Sequence, residues 1–204
     1  QSNALALCDQ ISNQAGSTLS DEFDPDPPLI TAIQVDYAFQ EALVEWESSS
    51  AADLAGYIIY ICNGGFQMAI DTLFDPNATS YLDLNSNVQA YIESYNVAAF
   101  DSCFVAGEPD PGAASEYCAS SIFLNTASVT CSDEATLTWT GGFNLPGEFT
   151  GYEIWINEEI PSGSGNWSGL QMMQTLDGSV DQWLFQGATF GATYQFHVAA
   201  QTLG

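Results

Sequence analysis

One pattern of tryptophan, glycine and tyrosine runs along this chain twice, and that doubling limits the architecture more than any other feature. The first copy reads Leu43-Val44-Glu45-Trp46, then Gly56-Tyr57-Ile58-Ile59-Tyr60, then Tyr95-Asn96-Val97-Ala98-Ala99. The second reads Leu137-Thr138-Trp139, then Gly151-Tyr152-Glu153-Ile154-Trp155, then Tyr194-Gln195-Phe196-His197-Val198-Ala199-Ala200. Tryptophan precedes glycine by 10 residues in one copy and 12 in the other; the two tyrosines stand 38 and 42 apart. A period of roughly 95 residues is too long for a solenoid unit and suits a whole small β-domain. In a chain of 204 residues this predicts two small domains rather than one large one.

Short alternating runs bounded by turn residues fill both copies. Ile30 to Val35, Ala42 to Glu47, Tyr57 to Cys62, Met68 to Leu73, Thr79 to Leu84 and Ser94 to Phe100 read as strands, and Ser115 to Cys118 as a last one. In the second copy the strands are Ile122 to Leu124, Ala135 to Trp139, Tyr152 to Asn157, Gln171 to Leu176, Gln182 to Phe185 and Thr193 to Ala200. Asn63-Gly64-Gly65 and Asp75-Pro76-Asn77 are turn signals. No stretch sustains a 3.6-residue apolar period between helix caps, so the class is all-β. Residues 1–28 form an acidic, proline-rich N-terminal segment, 29–118 the first domain and 119–204 the second. Gln1-Ser2-Asn3-Ala4 reads either as the remnant of a cleavable tag or as a mature exported N-terminus, and without a basic region it is no signal peptide.

Tryptophan on the second strand, Gly-Tyr-x-Ile on the third and the late tyrosine on the sixth together resemble tandem fibronectin type III domains over residues 28–204. Asp53-Leu54-Ala55-Gly56-Tyr57-Ile58-Ile59-Tyr60 and Ala78-Thr79-Ser80-Tyr81-Leu82-Asp83 carry the resemblance most specifically. With Ala99-Phe100-Asp101-Ser102-Cys103, it extends to repeats of large secreted surface proteins of gliding bacteria that use type IX secretion. The second copy departs from the family before its late tyrosine, where Ala188-Thr189-Phe190-Gly191 replaces the usual Leu-x-Pro-Gly turn. The resemblance implies two immunoglobulin-like sandwiches of seven strands, Trp46 and Trp139 between the sheets, and no shared active site. It also implies disulfide partners. The end of strand six lies near the N-terminal pole, placing Cys103 beside Cys8. The end of strand three lies at the other pole, placing Cys62 near Cys118, and Cys131 is left over.

The charge is extreme: 26 acidic residues, no Lys, no Arg and a formal charge of −26. A chain this long ordinarily carries on the order of 25 basic residues. Either an acidic surface is selected, or the sequence was redesigned, or basic positions are missing from the sequence as written. Taken as written, it gives phosphate backbones and anionic bilayers no cationic partner, which excludes nucleic acid. No apolar run reaches the ~18 residues of a membrane span, which excludes direct insertion. Stability then rests on burial, strand ladders, disulfides or bound cations, and screening salt relieves the self-repulsion.

Few residues offer chemistry. His197 is the single imidazole, and the alternation of Tyr194, Phe196 and Val198 turns it outward. Adjacent carboxylates such as Glu158-Glu159 do not face each other across a cleft as glycoside hydrolysis requires. Asp24, Asp26, Glu108 and Asp110 could gather around calcium, which accepts six to eight oxygens from flexible loops; no other cofactor is expected. Trp155, Trp167 and Trp183 lie outside the two core positions and are the candidates for ligand contact. Trp167, in a glycine- and serine-rich loop, leads them, although Trp155 also suits the sheet-covering place of Tyr60.

Five cysteines fit an exported chain. The expected role is non-enzymatic: spacer or adhesive modules of an extracellular or cell-surface bacterial protein. Their partners would be other domains of the same polypeptide, a glycan or a surface protein. The alternative is an accessory carbohydrate-binding module of a secreted polysaccharide-degrading enzyme.

Overall fold

The computed structural model describes residues 25–36, 39–88, 90–101, 117–128, 133–141, 144–145 and 147–203. Every regular element among them is a strand. In the first copy these are β1 (Ile30–Asp36), β2 (Glu41–Trp46), β3 (Leu54–Asn63), β4 (Phe66–Leu73), β5 (Ser80–Asp83), β6 (Ser94–Asp101) and β7 (Ala119–Ser120). The second copy has β8 (Ile122–Ser128), β9 (Glu134–Gly141), β10 (Glu148–Glu159), β11 (Gln171–Asp177), β12 (Gln182–Gln186) and β13 (Thr193–Leu203). Sheet β1-β2-β5 faces β4-β3-β6-β7, and sheet β8-β9-β12 faces β11-β10-β13. This is the fibronectin type III-like order, repeated in tandem.

Two sequence expectations need correction. The last described strand of the first sandwich is Ala119–Ser120, with Tyr117 and Cys118 outside it and Ser115 and Glu116 outside the described residues, and it pairs Ala119 with Tyr95 and Ser120 with Ser94. The second sandwich has six strands among the described residues, not seven.

Alternation explains each core. In β2, Ala42, Val44 and Trp46 turn inward to meet Tyr57 and Ile59 of β3 and Tyr95, Val97 and Ala99 of β6. In the second sandwich Leu137 and Trp139 meet Tyr152, Ile154, Ile156 and Phe185. The tryptophan and tyrosine rings are 5.3 Å apart in the first core and 5.4 Å in the second. Both indoles are almost fully buried, with 3% and 2% exposure.

The two copies also share two irregularities, although a bulge at Thr31 in β1 has no counterpart in β8. Ala55 and Thr150 are extra residues where β3 and β10 pair with β6 and β13. Ile70 and Met173 are the extra residues in the neighbouring strands β4 and β11. Such bulges bend and twist a strand locally. Immediately after the first bulge comes the repeated glycine. A Cβ built on Gly56 would overlap the carbonyl oxygen of Leu73, and one on Gly151 that of Leu176. The obstacle in each case is backbone, which cannot rotate aside. Gly56→Ala and Gly151→Ala should therefore each destabilise their own sandwich by about 1–3 kcal/mol, toward the upper end. Urea unfolding of the two variants checks this, and an unchanged midpoint would contradict the shared close approach.

Candidate functional site

The first sandwich contains a cluster of buried polar groups that is structural in position. The Tyr95 hydroxyl lies 2.7 Å from Glu93 Oε2 and 3.0 Å from Asp83 Oδ2. Burial, reinforced by the hydrogen bond to Glu93 and the charge of Asp83, pushes the Tyr95 phenol far above the ordinary tyrosine range, so it stays protonated. Glu93 also accepts a hydrogen bond from the Asn87 amide, and its own amide donates to Ser121 Oγ at 3.1 Å. Ser121 separates β7 from β8, so this network fixes the point where one sandwich gives way to the next. The loop between β9 and β10 reaches back to the same seam, with Asn144 Nδ2 donating to the Cys118 carbonyl at 2.9 Å. Cys118 is bonded to Cys62 at the end of β3. The proposed Cys8 to Cys103 pair and Cys131 lie outside the described residues.

Of the calcium candidates, Asp24, Glu108 and Asp110 lie outside the described residues, and Asp26 is exposed. Among the described residues no group of three or more His, Cys, Asp or Glu could hold a metal ion. His197 does face outward with Gln195 and Ala199. Enough protein surrounds its ring that desolvation holds its pKa below the usual histidine value, while Asp36 opposes the shift.

The three candidate tryptophans occupy different environments. Trp183 is half-buried and packs against the second core beside Phe185. Trp155 takes the position of Tyr60 after the shared bulge and donates from Nε1 to Glu153 at 3.0 Å. Trp167 is 38% exposed in a loop that the first copy lacks. Where β3 turns into β4 through Gly64 and Gly65, β10 and β11 are joined by residues 160–170. The buried Glu159 carboxylate organises that loop, accepting hydrogen bonds from the amides of Gly163 at 2.9 Å and Gly165 at 2.6 Å. Asn157 Oδ1 accepts another from Gly169 at 3.0 Å. The structure thus does not bring the three tryptophans together.

The sequence reading missed a shallow cleft of about 200 Å³ on the outer face of sheet β8-β9-β12. Strand register assembles it: Phe123 lies opposite Thr140, Asn125 opposite Thr138, and Gln182 opposite Thr138 on the other side. Cross-strand partners share a face, so these side chains converge; Trp139 also lines the cleft, although its ring belongs to the core. Asp181 completes the rim, and its carbonyl oxygen accepts from the Trp139 amide at 2.9 Å. Among the described residues, no side-chain polar group of Asn125, Thr138, Thr140, Asp181 or Gln182 is taken up by a hydrogen bond.

The equivalent face of the first sandwich is different. With Trp46 and Trp139 superposed, Glu45 stands at the place of Thr138 and Glu47 at that of Thr140. Gln34 Nε2 donates to Glu45 Oε2 at 2.7 Å, so those groups satisfy each other. The one signal in the sequence was this pair of Glu-to-Thr differences between aligned copies.

No protein-family model matches the chain, and no curated protein matches its sequence. Solved structures that resemble it are fibronectin type III arrays. One is the FN1–FN3 domains of chicken CNTN1, at 15% identity and a TM-score of 0.32, covering 87% of this chain and 64% of that one. Another is the central fibronectin-III array of RIM-binding protein, at 12% identity and a TM-score of 0.33, covering 88% of this chain and 60% of that one. The chain thus spans less than two thirds of either array.

Proposed function

We propose that these two sandwiches are non-catalytic structural and adhesive modules of a larger exported bacterial surface protein. The observation that carries this reading is the repetition of one scaffold, with its Trp–Tyr contact and both bulges, in tandem. A module that is copied with its packing and these two bulges intact serves as a length of rigid chain. The Cys62–Cys118 bond suits an oxidising compartment, which supports export. In this role the partners are neighbouring domains of the same polypeptide, together with a glycan or a surface protein.

Protease treatment of intact producing cells tests the location. Release of fragments carrying these sandwiches before lysis is expected. Complete protection until the cells are broken would contradict export to the surface.

A further inference from the structure

The second sandwich carries a recognition surface that the first does not, which goes beyond a spacer role. We propose that the cleft formed by Phe123, Asn125, Thr138, Thr140, Asp181 and Gln182 binds an uncharged sugar ring.

The chemistry of the lining selects that class. Phe123 is a half-buried aromatic floor, on which the apolar C–H face of a pyranose can lie. The Asn125 and Gln182 amides each offer donors and an acceptor, both threonine hydroxyls offer either, and the Asp181 carboxylate accepts only. A sugar hydroxyl is itself both donor and acceptor, so one ring can pair with such a mixed set. The volume is about 200 Å³, below the ~300–1,000 Å³ of drug-sized pockets, which suits one sugar unit at the end of a chain or free in solution.

Charge removes the competitors. A uronate, a sialylated sugar or a phosphate would meet no Lys or Arg, because the chain has none, and would approach a protein of formal charge −26. A simple cation would find a single carboxylate, Asp181, among neutral groups. In this acidic chain the cleft has threonines where the first sandwich has Glu45 and Glu47. The first copy is therefore an internal control: the corresponding sheet, with a bulge at Thr31 that β8 lacks and with a charged face.

The test uses the whole chain on an array of neutral and acidic glycans. Titration calorimetry follows, with methyl glucoside, galactoside and mannoside and with oligosaccharides ending in the sugar that binds. Binding of an uncharged sugar is expected, with at least a tenfold loss in Phe123→Ala. The same loss is expected in Thr138→Glu combined with Thr140→Glu, which installs the residues of the first sandwich on exposed positions. Melting temperature should be unchanged in the double variant, so that its loss of binding cannot be loss of fold. Binding of the simple glycosides points to a lone ring, and binding of oligosaccharides alone to a chain end; either supports the cleft. Three results would overturn the proposal: no uncharged sugar bound at millimolar concentration, equal binding of acidic sugars, or binding that survives the double variant and disappears in Trp167→Ala.

Discussion

Replacing Trp46 or Trp139 by alanine should cost its sandwich about 3–5 kcal/mol, the range for deleting a large aromatic side chain from a packed core. Each indole fills the space between two sheets and touches the tyrosine of the facing strand, Tyr57 or Tyr152. A cavity of that size cannot close without moving the strands. The loss should be confined to the mutated copy, because the two cores are separate clusters. Trp→Phe should be far milder. Phenylalanine keeps a ring against the tyrosine and also removes an indole N–H that is buried without a hydrogen-bond partner in both copies. In the second copy that N–H comes near enough to the Tyr152 hydroxyl to oppose the burial-driven rise of its pKa, but it does not reach hydrogen-bond geometry. Calorimetric melting of the single variants checks the pattern. Equal damage to both transitions would show that the sandwiches do not have independent cores.

Loss of the Cys62–Cys118 bond should be nearly as damaging. It closes a segment of 56 residues that contains β4, β5 and β6, and the chain-entropy model gives about 4 kcal/mol for a loop of that length. The bond ties the end of β3 to the residue that precedes β7, so its removal frees the strand at the seam as well as the unfolded chain. Cys62→Ser with Cys118→Ser should lower the unfolding midpoint of the first sandwich and leave the second unchanged. Alkylation of Cys62 and Cys118 in the native, unreduced protein would contradict the bond outright.

The sequence made most of the scaffold legible because half-buried strands write a period of two into their residues. Trp46, Val44 and Ala42 alternate with Glu45, Leu43 and Glu41, and the structure buries the first three more deeply. The sequence pattern aligns the late tyrosines with each other, but the strands are matched differently. Ala99 lies opposite Tyr57 and Ala200 opposite Tyr152, so Val97-Ala98-Ala99 corresponds to Val198-Ala199-Ala200. Tyr194 therefore sits two residues earlier in its strand than Tyr95 does, and Phe196 takes the place of Tyr95. A slide of two residues keeps every side chain on its own face, which is why the pattern could not reveal it. The two tyrosines accordingly bind different partners: Tyr95 reaches Asp83 and Glu93, whereas Tyr194 accepts from the Thr189 amide at 2.7 Å and donates to Glu158.

The cleft was invisible for a different reason. Its lining comes from three strands, and exposed Asn, Thr and Gln have no periodicity of their own. Only the register that sets Phe123 beside Thr140, and Asn125 and Gln182 beside Thr138, makes them a surface. Trp167 stands out in the sequence as a tryptophan in a glycine-rich loop, and the structure pairs it with Glu159 in an isolated bridge.

The central claim is that one sandwich is built twice, with the β3–β6 and β10–β13 ladders in the same register. Backbone NOE measurements on the intact, isotope-labelled chain test it most directly. The account predicts cross-strand contacts between Tyr57 and Ala99 and between Tyr152 and Ala200, with the bulges at Ala55 and Thr150 interrupting both ladders at the same point. A ladder shifted by one residue in either copy, or present in only one of them, would contradict it.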